Sequence, residues 1–129
     1  MTTTLGTTYD RFRWAQALLA HRDPSAAYRV LADLLDEARA GDTEGSSDVA
    51  AIRAELTRAA YHSARLDTTI DLARASLVDD PTDVEALVYL VRALQRLSRG
   101  TEATMAMKRL AAIVGPDHRA VTDLQERMR

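Results

Sequence analysis

Residues that could carry catalytic or metal-binding chemistry are few and scattered. The three histidines, His21, His62 and His118, lie far apart, and none has the partner four residues away that the zinc-binding HExxH pattern requires. The acidic runs at 33–37 and 79–80 lack the spacing of a calcium loop. No glycine-rich phosphate loop, no G-x-S-x-G turn and no cysteine occurs. We therefore expect no catalytic residue, no metal site and no cofactor.

Composition and charge narrow the possible partners. The 129 residues are 47% hydrophobic, enough for one domain with a core, and the net charge of −2 gives no basic surface for nucleic acid or an anionic membrane. The start, MTTTLGTTYD, has no apolar run, and no stretch approaches the roughly 18 to 20 apolar residues of a membrane span. A cytoplasmic protein is expected. Lys108 is the only lysine beside many arginines, which is typical of GC-rich bacterial genomes.

Helical patterns dominate the chain. No segment alternates apolar and polar residues over the length of a strand, so we predict an all-α protein. The polar stretch AGDTEGSSD, residues 40–48, indicates an exposed loop. Three helix starts are marked by capping residues or by a proline in the first turn. These are Thr7 with Asp10, Asp23 with Pro24, and Thr82 with Glu85.

The helical patterns repeat along the chain. Leu56 aligns with Leu90 at an offset of 34 residues, and Trp14 aligns with Leu56 at an offset of 42. The excess falls in the glycine-containing loop, where an insertion disturbs little packing. The sequence therefore predicts three successive helix–turn–helix hairpins.

A 34-residue helix–turn–helix period resembles the tetratricopeptide repeat (TPR). The best local match, AELTRAAYHSARLDTTIDLARASLVDDP, keeps Leu56 and Pro81 at the Leu and Pro sites of the motif, and the third unit keeps Leu90 and Ala103. The resemblance covers about residues 8–116 in period but is weak in signature. The Trp site of the motif is occupied by Arg11, Arg53 and Leu87 in the three units. Trp14 stands at the Leu site instead, and we predict that it fills the core.

The resemblance implies a right-handed superhelical array of three TPR-like hairpins in a single domain, residues 1–129. The hairpins are expected at about 8–39, 49–79 and 82–114, with a capping helix at about 117–128. Stacked hairpins leave an apolar edge at the end of the array, which needs cover. Val121, Leu124 and Met128 share one side of the last segment and suit it for that role, although a frayed tail is the alternative.

In TPR proteins, the first helix of each hairpin lines a concave groove that binds an extended peptide or a partner helix. Carried over by position, the partner-binding residues are Tyr9, Phe12, Arg13, Gln16, Arg58, Tyr61, His62, Tyr89, Arg92 and Arg96. Arginine and aromatic residues are enriched in interface hot spots. Arg58, Arg92 and Arg96 could hold carboxylates, which leaves an acidic ligand open. The alternative is that these arginines simply face water, and that Phe12 and Tyr89 belong to the core.

The resemblance thus implies a non-catalytic protein–protein interaction module that binds a peptide or partner protein on a concave Arg/aromatic surface. One alternative is a homo-oligomeric structural scaffold, such as a homodimer formed through Tyr9 and Phe12 or through the ends of the array. A small-ligand carrier or an enzyme is a further alternative. It would require a closed pocket with perturbed titratable groups.

Overall fold

The computed structural model describes residues 7–41 and 47–127, and these residues form helices without any strand. The prediction of an all-α protein is confirmed. The described helices are α1 (Thr8–Ala20), α2 (Pro24–Ala40), α3 (Ser47–His62), α4 (Leu66–Asp79), α5 (Val84–Arg96), α6 (Gly100–Val114) and α7 (Arg119–Arg127). Met128 and most of the predicted loop at 40–48 lie outside the described residues.

The N-terminal unit, residues up to Ala64, contains α1, α2 and α3. Helix α2 packs against both α1 and α3. Its apolar residues recur at helical spacing, so that Leu31, Leu34 and Leu35 fall on one face and are almost fully buried. Small residues allow the helices to approach closely. Those buried in this unit are Ala15, Ala27, Ala59 and Ala60.

The C-terminal unit, from Arg65 onward, contains α4 to α7. Helix α5 packs against α4 and α6, and α7 packs against α5 and α6. As predicted, Val121 and Leu124 of α7 point into the core, each with 1% of its surface exposed. The Gln95 side chain donates a hydrogen bond from Nε2 to the Leu124 carbonyl oxygen at 3.0 Å. This last segment is therefore a packed helix and not a frayed tail.

The sequence repeat has a counterpart in the backbone of the turns. A non-glycine residue with left-handed backbone follows α1, α3 and α5, with φ between 59° and 63°. In each turn its N–H donates a hydrogen bond to the carbonyl oxygen three residues earlier. The three residues are Arg22, Ala64 and Ser98, spaced by the same 42 and 34 residues as the helices. The left-handed residue thus marks the same point in each repeat.

Two of the predicted helix caps are confirmed. Thr7 Oγ1 accepts a hydrogen bond from the Asp10 N–H at 3.0 Å, and Asp23 Oδ1 accepts one from the Ala26 N–H at 3.2 Å. Each satisfies a backbone donor that the first turn of a helix leaves without a partner. Asp23 also fixes the start of α2 directly after the Arg22 turn.

The predicted cap at Thr82 is wrong. The N-cap of α5 is Asp83, whose carboxylate accepts from the Ala86 N–H at 3.0 Å. Thr82 is engaged elsewhere, because its hydroxyl donates to Asp80 Oδ1 at 2.8 Å. Gly100 is the first residue of α6, and Ser98 supplies the left-handed turn just before it.

The prediction that Trp14 fills the core is also wrong, because 53% of its surface is exposed. Its neighbour Ala15 is the residue of α1 that is fully buried. Trp14 lies beside Val30 on a face of the α1–α2 pair that carries no other helix of the N-terminal unit.

Candidate peptide-binding site

The N-terminal unit carries a depression of about 700 Å³ between α1, the start of α2 and the end of α3. It brings together three of the residues predicted from the TPR resemblance, Gln16 on α1 and Arg58 and His62 on α3. These three lie far apart in sequence and meet because α1 and α3 both contact α2 and touch each other. The remaining lining residues are Leu19, Ala20, Arg22, Pro24 and Glu55.

The charges in this depression favour an anionic group. Arg58 Nη1 lies 4.0 Å from Glu55 Oε1, one turn earlier on α3, and Arg22 adds a second guanidinium from the turn after α1. Two guanidinium groups and a single carboxylate therefore line the depression. Arginine binds carboxylates through paired hydrogen bonds of fixed geometry.

Apart from Gln16, the wall of the depression contributed by α1 and the start of α2 is apolar. Leu19 and Pro24 are each partly exposed there, and the small Ala20 leaves room beside them. A partly exposed apolar surface beside two arginines can bury an aliphatic side chain while an adjacent carboxylate is held by the arginines. The arrangement is thus suited to binding.

A second depression, of about 330 Å³, lies at the N-terminal ends of α1 and α3. Tyr9 and Phe12 line it together with Ile52, and Tyr9 exposes 66% of its surface. Arg13 donates from Nη1 to Tyr9 Oη at 2.9 Å, and its guanidinium carbon lies 5.8 Å from the centre of the tyrosine ring. Arg13 therefore orients Tyr9 in this structure.

The predicted tyrosines further along the chain expose little surface. Tyr61 is 9% exposed and Tyr89 8% exposed. The Tyr61 ring packs edge-to-face on the exposed His62, with ring centres 5.3 Å apart. Tyr61 thus supports His62 from beneath and offers little contact area of its own.

In the C-terminal unit, α5 carries Tyr89, Arg92 and Arg96. Arg96 is exposed, whereas Arg92 is half-buried. The Arg92 Nε atom is buried and has no hydrogen-bond partner among the described residues. A buried N–H without a hydrogen-bond partner raises the free energy of the folded protein. A hydrogen bond from this N–H to a ligand acceptor would therefore contribute more binding free energy than a contact at the surface.

Sequence reasoning missed Arg22, Leu19 and Pro24 as lining residues. The TPR motif assigns groove contacts to the first helix of each hairpin, whereas Arg22 lies in the turn and Pro24 begins α2. The left-handed backbone of Arg22, φ 62°, directs the chain there. A glycine or asparagine is the usual signal for that conformation, and the sequence has neither at this position.

Within residues 7–41 and 47–127, no group of three histidine or acidic side chains is arranged to hold a metal ion. None of the described helices is long and apolar enough to cross a membrane.

Comparison with known proteins identifies the fold. No family model matches the sequence. No curated protein matches it either. A solved structure does match: the C-terminal TPR-containing domain of a Plasmodium falciparum protein described as an FK506-binding protein, with a TM-score of 0.76 and 15% identity, over 96% of this chain and 85% of that one. Likeness at this identity bears on the fold alone, and the chain therefore has the all-α helical-repeat fold of a TPR-containing domain.

Proposed function

We propose that this chain is a non-catalytic protein-interaction module that binds a segment of a partner protein in the α1–α3 depression. The observation that carries the proposal is the pair Arg22 and Arg58 beside the partly exposed Leu19 and Pro24. The TPR-like fold supports it, because such domains serve in general to bind proteins. A cytoplasmic location, in a bacterium, is part of the same proposal.

The preferred ligand is an extended segment with an acidic residue next to an aliphatic one. Its carboxylate would accept hydrogen bonds from Arg22 and Arg58, and its aliphatic neighbour would cover Leu19 and Pro24. Tyr9 and Gln16 are separated by about 10 Å along α1, given a rise of 1.5 Å per residue. An extended peptide covers that distance in about three residues, so a short segment can reach both depressions.

In the C-terminal unit, Arg92 and Arg96 are proposed as a separate contact for acidic groups. The buried Nε of Arg92 supports this, since a carboxylate oxygen would give it an acceptor. Tyr89 would act there only by holding Arg92 in place, because little of its surface is exposed.

Selection from a library of short random peptides tests the proposal. We expect the immobilised protein to enrich peptides with Asp or Glu beside Leu, Ile or Val. The Arg22→Glu/Arg58→Glu variant should bind the enriched peptides at least about tenfold more weakly, because both cations are replaced by anions.

The matched control is Arg39→Glu/Lys108→Glu, which makes the same change of charge at exposed positions that do not line the depression. It should retain the binding. An equal loss of peptide binding in both double variants would mean that the change in net charge alone causes the effect. Failure of the wild type to enrich any acidic sequence would refute the proposed ligand.

A further inference from the structure

The α1–α2 pair carries a second surface that the proposed peptide site does not use. We call it the Trp14 face; it surrounds a depression of about 560 Å³ lined by Arg11, Trp14, Arg29, Val30 and Asp33. An indole that is 53% exposed is a large apolar surface in contact with water. None of these five residues lines the α1–α3 depression.

The internal repeat indicates that Trp14 stands at a packing position. Its equivalents are Leu56 and Leu90, which are 3% and 5% exposed. Leu56 belongs to α3, which packs on α2, and Leu90 lines a shared cavity with Leu77 of α4. In both cases the preceding helix in the sequence packs on the helix that carries the buried leucine. Within the described residues of the N-terminal unit, no helix covers Trp14 in this way.

The charges around Trp14 are arranged so that the face complements itself. Arg29 and Asp33 lie one turn apart on the exposed side of α2, with Val30 between them in sequence. Arg29 makes no hydrogen bond or ion pair with any described residue.

The other arginine on this face, Arg11, is already engaged. Arg11 donates to both carboxylate oxygens of Glu37, at 2.7 and 2.8 Å. The interaction between Asp33 and Arg11 is an electrostatic attraction without a hydrogen bond. Asp33 therefore has acceptor capacity left for a second cation.

We propose that the Trp14 face binds the same face of a second copy of this chain, across a two-fold axis. With the two α2 helices antiparallel, Arg29 of one copy meets the partner's Asp33, and the reverse contact forms by symmetry. The axis then runs beside Val30, which brings the two indoles to the centre of the contact.

The face is small, so the dimer is weak. Five side chains are far fewer than the roughly 20 to 30 residues per partner of a standard interface. We therefore expect dissociation constants on the order of 100 µM, with Trp14 contributing most of the affinity.

Reversing the charge at position 29 or 33 tests the proposed pairing of Arg29 with Asp33 across the dimer. The dimer dissociation constant of the full chain is measured by sedimentation equilibrium. Arg29→Asp and Asp33→Arg should each raise the dimer dissociation constant by about tenfold or more, because each places like charges opposite one another twice in the contact. Mixing the two variants should restore dimers, now as heterodimers in which every pair is again of opposite sign. Arg39→Asp, the same exchange elsewhere on α2, is the control and should dimerise like the wild type.

Truncation of Trp14 tests which surface forms the dimer. Trp14→Ala should weaken the dimer by about thirtyfold or more, whereas Met105→Ala, at another large exposed apolar residue, should leave it unchanged. Helix content measured by circular dichroism should be the same for all variants, since the altered side chains are exposed.

Three results would overturn the proposal. The first is a wild-type chain that stays monomeric well above 100 µM. The second is assembly that continues past the dimer with concentration, because a two-fold contact closes on itself. The third is a mixture of the two charge variants that fails to regain the dimer.

Discussion

The first and last hairpins of the chain differ in what covers their outer surfaces. Helix α7 lies on the α5–α6 pair and buries Val121 and Leu124 to 1% exposure. On the α1–α2 pair, Trp14 keeps 53% of its surface exposed. The C-terminal unit therefore has an edge covered by its own helix α7, whereas the Trp14 edge of the N-terminal unit keeps an aromatic residue exposed among the described residues.

The largest difference between the two edges should appear in stability. Leu124→Asp should lower the free energy of unfolding by about 3 kcal/mol or more, because it buries a carboxylate among α5 and α6. Trp14→Asp should lower the stability of the monomer by clearly less, about 1 kcal/mol, since 53% of the Trp14 surface is already exposed. Urea unfolding of dilute protein, followed by circular dichroism, measures both. If Trp14→Asp proved as damaging as Leu124→Asp, the Trp14 edge would have to be covered within the monomer.

The hairpin turns should behave alike in the two units, in contrast to the edges. Ala64→Gly and Ser98→Gly should each raise the free energy of unfolding by up to about 1 kcal/mol, because glycine adopts the left-handed backbone without strain. The control Ala51→Gly, in the second turn of α3, should instead lower stability by about 1 kcal/mol. Thermal unfolding of the three variants shows which of them are more stable than the wild type and which are less stable. Destabilisation by both turn variants would contradict the shared turn geometry.

The smallest expected effect is on the pH dependence of stability, and it comes from one carboxylate in each unit. Hydrogen bonds from Arg11 lower the pKa of Glu37, and hydrogen bonds from Arg99 and then Arg74 lower the pKa of Glu102. A carboxyl with a lower pKa in the folded state adds stability above its unfolded pKa, near 4.5, and loses it as the pH falls further.

The Glu37→Gln and Glu102→Gln variants should therefore lose less stability than the wild type when urea unfolding is repeated at pH 6 and at successively lower pH. Both carboxylates are exposed to solvent, so added salt should shrink the difference. A wild-type pH dependence that matched both variants would show that neither ion pair forms in solution.

Features determined by neighbouring residues could be predicted from the sequence. Thr7 and Asp23 cap the helices that their spacing indicated. The prediction failed where two residues competed, since Asp83 caps α5 while Thr82 bonds to Asp80. Local preference alone does not decide such a competition.

Features that depend on which helix faces meet could be predicted only in part. The repeat correctly aligned Trp14 with two buried leucines, yet alignment does not say whether a helix lies opposite. Similarly, Gln16, Arg58 and His62 were predicted from the TPR resemblance and do share a depression, while Arg22 joins them through a turn conformation that its residue type does not favour.

Emission from Trp14 tests the central claim, that this edge is covered by a second copy, most directly. It is the only tryptophan in the chain, so every change in indole emission reports on this face. As the protein is concentrated, the emission should move to shorter wavelength and quenching by acrylamide should fall, in step with the rise in mass measured by sedimentation. Doubling of the mass without any change in Trp14 emission would place the dimer contact elsewhere and contradict the account.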